Sequence, residues 1–266
     1  MKLENRVAIV TGGSNGIGRA ISIGLAKEGA DVVVNFNADT VAANEAVNEI
    51  KGLGRKAIAI KTDVSKSDQV NRMIKTVFDE FGKIDILVNN AGGSARERGS
   101  LFCESTEEIW DYVIGLNLKG VLNCSRAVIN HMIERRSGKI VNISSTAGIT
   151  GDVGLVDYAA AKAGIGGFTM ALAKEVAMYG INVNCVTPGA ILTRAVPLTQ
   201  SDIKTEDEQR TMGFGRLGTP EDVAPLVVFM VTDGASLITG QNYAVCGLMN
   251  LGPIAEGQRS LLGKTE

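Results

Sequence analysis

Short apolar runs alternate with longer amphipathic stretches along almost the whole chain. Runs rich in Val and Ile predict β-strands, and stretches with apolar residues three and four apart predict helices. Strands that alternate with helices form a parallel sheet covered on both faces. The predicted strands are Val7–Val10, Asp31–Phe36, Ala57–Thr62, Ile84–Asn89, Lys139–Ser144, Ile181–Val186 and Asn242–Val245. The predicted helices span 17–28, 41–52, 67–81, 107–119 with a continuation to about 134, 158–178 and 221–232.

A glycine-rich turn, Thr11-Gly12-Gly13-Ser14-Asn15-Gly16-Ile17-Gly18, joins the first predicted strand to the first predicted helix. In this context Gly12 permits a tight turn, Gly16 lets the backbone approach a pyrophosphate, and Gly18 allows close packing of helix on strand. The anion would then meet free N–H groups at the positive end of the helix dipole. The segment predicts a dinucleotide site in a single doubly wound α/β domain of the Rossmann type, with about seven parallel strands.

Tyr158 and Lys162 lie four residues apart in the predicted helix 158–178. Residues at this spacing share one helix face, so the phenol and the ammonium can point into the same space. A phenol alone has a pKa near ~10, and a nearby cation lowers that pKa because it stabilises the phenolate. The pair then suits proton transfer near neutral pH, for which the single histidine, His131, is a poor candidate. Taken alone, such a pair is also typical of a solvated helix surface.

Other motifs follow in a fixed order, and together with these two they resemble the short-chain dehydrogenase/reductase family, in its 3-oxoacyl-reductase-like branch. The resemblance covers almost the whole chain and implies an NAD(P)-dependent oxidoreductase that interconverts a secondary alcohol and a ketone. The catalytic serine of the family lies thirteen positions before the tyrosine; since 158 − 145 = 13, this is Ser145 rather than Ser144. The additional motifs are Asp63-Val64, Asn89-Asn90-Ala91-Gly92, Asn117, Asn142-Ile143-Ser144-Ser145 and Pro188-Gly189.

The resemblance also implies a role for each catalytic residue. Tyr158 would exchange a proton with the substrate oxygen while hydride moves to or from nicotinamide C4, and Ser145 would donate a hydrogen bond to that oxygen. Lys162 would lower the pKa of Tyr158 and hold the nicotinamide ribose. Asn117, between glycines that permit a local helix break, would hold a water linking Lys162 to solvent; its alternative is a helix-surface amide.

The cofactor-binding residues follow from the same resemblance. Pro188 to Thr193 would hold the nicotinamide carboxamide, and Asp63 would lie beside the adenine unless it only caps the following helix. For Asn89 to Gly92 the alternative is an ordinary strand-to-loop turn. The expected cofactor-binding residues are Gly12, Ser14, Asn15, Gly16, Ile17, Gly18, Phe36, Asn37, Asp63, Val64, Asn90, Ala91, Gly92, Tyr158, Lys162, Pro188, Gly189, Ile191 and Thr193.

The choice between NAD(H) and NADP(H) depends on the end of the second strand. NAD-preferring relatives carry an acidic residue where this chain has Phe36, and its absence favours NADP(H). The basic residues that usually neutralise the 2′-phosphate are also absent, so Ser14, Asn15, Asn37 and Thr40 offer only neutral hydrogen bonds. We therefore expect a slight preference for NADP(H), with NAD(H) as the alternative.

Two regions differ from the family pattern. The last strand ends in Cys246-Gly247-Leu248 where relatives often have Asp-Gly-Gly, a region at the subunit interface and pocket floor in the family. The loop 93–99 carries two arginines, Arg96 and Arg98, and Arg194 begins an expected mobile substrate segment at about 194–215. These arginines would contact an anionic substrate tail or remain solvated.

Composition narrows the class of protein. The chain has 266 residues, 45% of them hydrophobic, and predicts one catalytic domain at 1–250 followed by a tail at 251–266. A net charge of −2 gives no support for nucleic-acid binding. The four cysteines are scattered without metal-ligand spacing, so we expect reduced thiols and no metal. No apolar run approaches the ~18 residues of a membrane span, and no signal peptide is expected, which predicts a cytoplasmic protein without membrane contacts.

Three classes of function remain. We favour a carbonyl reductase or alcohol dehydrogenase, acting either on a 3-oxoacyl thioester of ACP or CoA or on a cyclic or aryl alcohol, because all four catalytic positions are filled. A non-catalytic partner subunit should have lost one of these residues, and an epimerase or dehydratase would usually have a longer chain. By resemblance we also expect a homo-oligomer, a tetramer, in which the helices at 107–134 and 158–178 pair between subunits.

Overall fold

The centre of the fold is a seven-stranded sheet whose paired strands are all parallel, in a computed structural model that describes residues 1–93, 101–193 and 214–251. The strand order is β3-β2-β1-β4-β5-β6-β7, so the chain changes direction across the sheet between β1 and β4. Ligand sites in such sheets lie outside the carboxyl ends of the strands at this switch. The strands are β1 Val7–Val10, β2 Asp31–Phe36, β3 Ala57–Lys61, β4 Ile86–Asn89, β5 Gly138–Ile143, β6 Ile181–Pro188 and β7 Asn242–Val245.

Helices cover both faces of this sheet. One face packs against α1, α2 and α8, and the other against α3, α5 and α7. The helices are α1 Gly16–Lys27, α2 Thr40–Gly52, α3 Ser67–Phe81, α4 Glu107–Ile114, α5 Gly120–Arg135, α6 Ala147–Thr150, α7 Val156–Val176 and α8 Pro220–Met230.

The inner strands β1, β2, β4, β5 and β6 are largely buried, which explains their mainly apolar character, while the edge strands β3 and β7 are partly exposed. In β1, Ala8 and Val10 belong to one core cluster while Val7 and Ile9 belong to the other. Successive side chains of a strand point to opposite faces, so a strand with helices on both sides is apolar at most positions. The predicted doubly wound α/β fold is therefore confirmed.

The predicted helix break between α4 and α5 is a π-helical segment, Gly115–Lys119. Asn117 lies inside it, and its Nδ2 donates to the carbonyl of Val113 at 2.9 Å. At the end of the segment, a Cβ added to Gly120 would lie 2.8 Å from Val64 Cγ2. The amide of Asn117 thus bonds the helix backbone, and Gly120 has no room for a side chain. Together these two features account for the local change in helix geometry.

Several predicted features lie outside the described residues. These are Arg96, Arg98, Arg194, residues 194–213 of the expected substrate segment 194–215, and the tail after Leu251. Among the described residues, none of the helices combines the length and the apolarity that crossing a membrane requires. The described part of the chain likewise contains no cluster of three or more His, Cys, Asp or Glu that could hold a metal ion.

Candidate active site

A cavity of about 610 Å³ opens at the carboxyl ends of the central strands. Its wall combines the glycine-rich turn after β1, the segments after β4, β5 and β6, and the first turns of α7. The structure thus brings together most of the predicted site residues, which are far apart in the sequence. Those that line the cavity are Gly12, Ser14, Asn15, Gly16, Ile17, Gly18, Asn90, Ala91, Gly92, Ser145, Tyr158, Lys162, Pro188, Gly189, Ile191 and Thr193.

The glycine-rich turn has the geometry of a cradle for a phosphate-bearing ligand. Gly12 and Gly16 adopt φ values of +62° and +51°, a region that residues with a Cβ rarely occupy. A Cβ on Gly18 would lie 2.1 Å from the main-chain oxygen of Gly12, and one on Gly16 would lie 3.1 Å from Thr193 Cγ2. The backbone is therefore open to close approach, and α1 begins at Gly16 with its free N–H groups at the cavity. These residues fit a dinucleotide.

Three side chains, those of Thr11, Asn90 and Asn35, hold this turn in place. Thr11 Oγ1 accepts hydrogen bonds from the backbone N–H groups of Asn90 at 2.9 Å and Ala91 at 3.0 Å. Asn90 Nδ2 in turn donates to the carbonyls of Thr11 and Gly12. On the other side, Asn35 Oδ1 accepts from the N–H of Gly12 at 3.2 Å. The segment after β4 and the end of β2 are thus fixed to the glycine-rich turn.

Lys162 lies at the base of the cavity and is 4% exposed. Its Nζ donates to the carbonyl of Ile143 at 3.0 Å and lies 5.6 Å from the centroid of the Tyr158 ring. Burial lowers the pKa of Lys162 from 10.5 to about 8, an effect that buried Cys185 partly opposes. The ammonium form still predominates at neutral pH, so Tyr158 has a cation beside it.

The two adjacent serines have different surroundings. Ser144 is buried, and its Oγ donates to the main-chain carbonyl of Lys162 at 2.8 Å. Ser145 Oγ accepts a hydrogen bond from the N–H of Ala147 at 3.3 Å, which leaves its proton available for another acceptor. Ser144 therefore fastens α7 to the end of β5, while Ser145 lines the cavity, where its hydroxyl can donate to a substrate oxygen.

Asn117 is fully buried and does not line the cavity itself. Its amide bonds both backbone groups of Gly93: Nδ2 donates to the carbonyl at 2.8 Å, and Oδ1 accepts from the N–H at 3.2 Å. A Cβ on Gly92 would lie 2.6 Å from Asn117 Oδ1 and 3.2 Å from Lys162 Nζ, so both side chains approach the same glycine. The helix-surface alternative for Asn117 is wrong.

Four predicted adenosine contacts, Phe36, Asn37, Asp63 and Val64, lie outside the cavity wall. Phe36 is 7% exposed and packs in the core cluster that also contains residues of α1 and α2. The carboxylate of Asp63 accepts from the N–H and the hydroxyl of Ser65 within a turn before α3. Contacts between these residues and an adenosine remain predictions.

Met249 lies in the cavity wall, although none of the sequence motifs includes it. After the unusual Cys246-Gly247-Leu248 turn, Met249 lines the cavity, and its Sδ accepts from the N–H of Ala190 at 3.4 Å. A Cβ on Gly189 would lie 2.8 Å from Cys246 Cβ and 3.0 Å from Met249 Sδ. The segment that differs from the family pattern therefore packs directly against the predicted nicotinamide-binding segment. The sequence does contain one signal for this contact: the segment follows β7, the strand that lies beside β6.

Comparison with known proteins gives matches that cover most of the chain and agree with one another. Residues 6–204 match the sequence profile of the short chain dehydrogenase family. The chain is 44% identical over 248 residues to a 3-oxoacyl-(acyl-carrier-protein) reductase of Synechocystis, covering 93% of this chain and 98% of the relative. It is 42% identical over 245 residues to the reductase of the same name, FabG, of Staphylococcus epidermidis, covering 92% and 99%. It is 40% identical over 251 residues to a (2S)-((R)-hydroxy(phenyl)methyl)succinyl-CoA dehydrogenase subunit, BbsD, of Thauera aromatica, covering 93% and 97%.

Proposed function

The chain belongs to the short-chain dehydrogenase family, and from this premise we propose that it is an NAD(P)(H)-dependent oxidoreductase that interconverts a ketone and a secondary alcohol on an acyl thioester. The observation that carries the proposal is the meeting of Ser145, Tyr158 and Lys162 at one cavity with the glycine-rich turn. A partner subunit without activity would not need to keep a buried lysine beside a tyrosine and a serine at the same cavity.

The residues of the chain supply the proton chemistry. A bound nicotinamide supplies or accepts the hydride, and the Gly12–Gly18 backbone, the segment Asn90–Gly92 and Thr193 would hold the cofactor. In the direction of reduction, Tyr158 donates its hydroxyl proton to the substrate oxygen, so that a phenolate remains. Ser145 donates a hydrogen bond to the same oxygen and stabilises the charge that develops there. The ammonium of Lys162 stabilises this phenolate until a proton from solvent restores the Tyr158 phenol.

The substrate class is supported by the names of the relatives. The cavity wall also includes Thr150, Gly151, Asp152 and Met249, so it extends over more residues than those expected to hold the cofactor. Two of the relatives are named as reductases of acyl-carrier-protein thioesters and one as a dehydrogenase of a CoA thioester. A thioester with an oxygen function at C3 therefore fits better than a free alcohol.

The experiment is a substrate screen that follows nicotinamide absorbance with both NADH and NADPH. We expect kcat/KM for a 3-oxoacyl thioester to exceed that for the matching ketone without the thioester by at least ~10-fold, or ~1.4 kcal/mol of transition-state binding. If the protein turns over simple ketones but no thioester, the proposed substrate class is wrong. If it binds a dinucleotide but turns over no substrate, a non-catalytic partner subunit is favoured.

We also propose that the catalytic domain spans 1–250 and that the protein is a homo-oligomer, a tetramer, paired through α4–α5 and α7. Leu122 and Met170, on α5 and α7, are 39% and 54% exposed in the single chain, which supports an apolar contact there. Light scattering at micromolar concentration should give a multiple of 28.0 kDa. A mass near that of one chain would contradict the oligomer.

A further inference from the structure

One acidic side chain lines the cavity within the part of the chain that the structure describes. Asp152 contributes it, and Tyr158 and Lys162 are the other ionisable residues of the described wall. Lys162 is buried, and its ammonium donates to the carbonyl of Ile143, whereas Asp152 is exposed. Asp152 is also absent from the residues expected to hold the cofactor. Its carboxylate is therefore a charge that a substrate in this cavity meets.

The turn that carries Asp152 joins α6 to α7, between the serine and the tyrosine expected to bond the substrate oxygen. Gly151 and Gly154, on either side of the turn tip, have φ values of +77° and +75°, a region that favours glycine. The N–H of Leu155 donates to the main-chain carbonyl of Asp152 at 3.2 Å. The turn thus depends on two glycines and on the backbone, so a change of side chain at Asp152 should leave it intact.

The same segment presents apolar side chains. Ile149, Val153 and Val156 are all exposed in the single chain. The next acid along the chain, Asp157, lies outside the cavity wall, and its Oδ1 accepts from the N–H of the following residue at 2.8 Å. An uncharged acyl chain gains from contact with apolar side chains, whereas a carboxylate beside Asp152 is repelled by a charge of the same sign.

We propose that Asp152 is a specificity-determining residue: its carboxylate disfavours 3-oxoacyl thioesters whose acyl group carries a second carboxylate, and leaves those with an uncharged acyl chain as substrates. The inference rests on the proposed function. Replacing Asp152 with Asn makes the wall more positive by one charge, whichever groups contact this side chain. The predicted change in substrate preference therefore has a definite sign.

The test uses two thioesters of equal length, 3-oxohexanoyl-CoA and 3-oxoadipyl-CoA, which differ by a methyl group against a carboxylate at C6. The full-length protein is assayed with the nicotinamide cofactor that the wild type uses. The wild-type kcat/KM for 3-oxohexanoyl-CoA should exceed that for 3-oxoadipyl-CoA by at least ~10-fold. Because both substrates carry the same CoA phosphates, the ratio of the two values isolates the second carboxylate.

Variants of the same residue separate its charge from its shape. Asp152→Asn should reduce the ratio by ~5-fold, Asp152→Lys should reduce it further, and Asp152→Glu should keep it near the wild-type value. The matched control is Asp157→Asn, which removes the same charge from a position outside the cavity wall and should change the ratio less.

Salt gives a second readout that a purely structural role would not change. Repulsion between exposed charges is screened as ionic strength rises, so the wild-type preference for the uncharged chain should narrow in salt. In the Asp152→Asn protein the ratio should depend less on salt.

Three outcomes would overturn the inference. The wild type could turn over both thioesters equally well or prefer 3-oxoadipyl-CoA, Asp152→Asn could keep the wild-type ratio, or Asp157→Asn could change the ratio as much as Asp152→Asn does. If the wild type binds a dinucleotide but turns over neither thioester, the proposed function itself fails, which is distinct from all three.

Discussion

Replacing Lys162 with Met should stabilise the cofactor-free protein at neutral pH while it removes the activity. Burial lowers the pKa of Lys162 from 10.5 to about 8. This difference corresponds to ~3 kcal/mol for keeping the ammonium in the folded protein at pH 7. Met has a similar length and no charge, but it leaves the Ile143 carbonyl without the donor that Lys162 Nζ provides at 3.0 Å. An unpaired buried acceptor costs ~1–3 kcal/mol, so we expect a net gain of ~1 kcal/mol.

The pH dependence is the sharper signature, and its sign follows from proton binding. Between pH 8 and 10.5 the unfolded chain holds a proton on Lys162 that the folded protein has released. The wild type therefore gains stability as the pH rises through this window, and the Met variant lacks that gain. Below pH 8 both states are protonated and the difference between the two proteins should be constant.

The assay is urea unfolding of both proteins at several pH values from 7 to 10, at one fixed protein concentration because an oligomer's stability depends on it. Subtracting the two free energies cancels the titration of shared groups that do not interact with Lys162, and both proteins carry Tyr158→Phe so that the neighbouring phenol does not titrate. The control is Lys174→Met, which replaces an exposed lysine of the same helix and therefore removes no buried charge. A Lys162→Met difference that does not change between pH 7 and 10 would refute the argument from burial.

The other predictions concern the serines and the glycine-rich turn. Ser145→Ala should lower kcat by at least ~10², because it removes a donor to the developing charge. Ser144→Ala should have a smaller effect on kcat and a larger one on urea stability, and the reverse order would show that the catalytic serine was misassigned. Gly18→Ala should abolish dinucleotide binding in calorimetry, since the new Cβ would lie 2.1 Å from a main-chain oxygen of the turn. Gly52→Ala is the control and should bind the dinucleotide normally, because its Cβ would meet nothing within 4 Å. If Gly18→Ala also binds the dinucleotide normally, the glycine-rich turn is not the dinucleotide site.

The sheet could be predicted from sequence because most of its strands are short runs rich in Val and Ile. Asp31–Phe36 and Asn242–Val245 have the predicted limits, while β6 is longer than expected and ends at Pro188. The one-turn helix Ala147–Thr150 was not predicted, since four residues cannot display a helical period. Its position after Ser145 depends on tertiary contacts.

The site was predicted well where the chemistry depends on motifs and less well where it depends on side-chain direction. The alternation of β2 already indicates that Phe36 shares a face with Val34, but the strand-end position alone does not say which face meets the nucleotide. The contact between Asp39 and Asn15 joins residues 24 positions apart. No periodicity reports such a contact, because it depends on how α1 and α2 pack against the same side of the sheet.

The central claim is that Tyr158 transfers the proton, and turnover by Tyr158→Phe tests it most directly. The substitution keeps the ring and removes only the hydroxyl, so kcat should fall by at least ~10² while the Kd for the nicotinamide cofactor stays near the wild-type value. Tyr112→Phe removes a tyrosine hydroxyl outside the cavity wall, so it is the matched control and should keep full turnover. Near-normal turnover in a folded Tyr158→Phe protein would contradict the account.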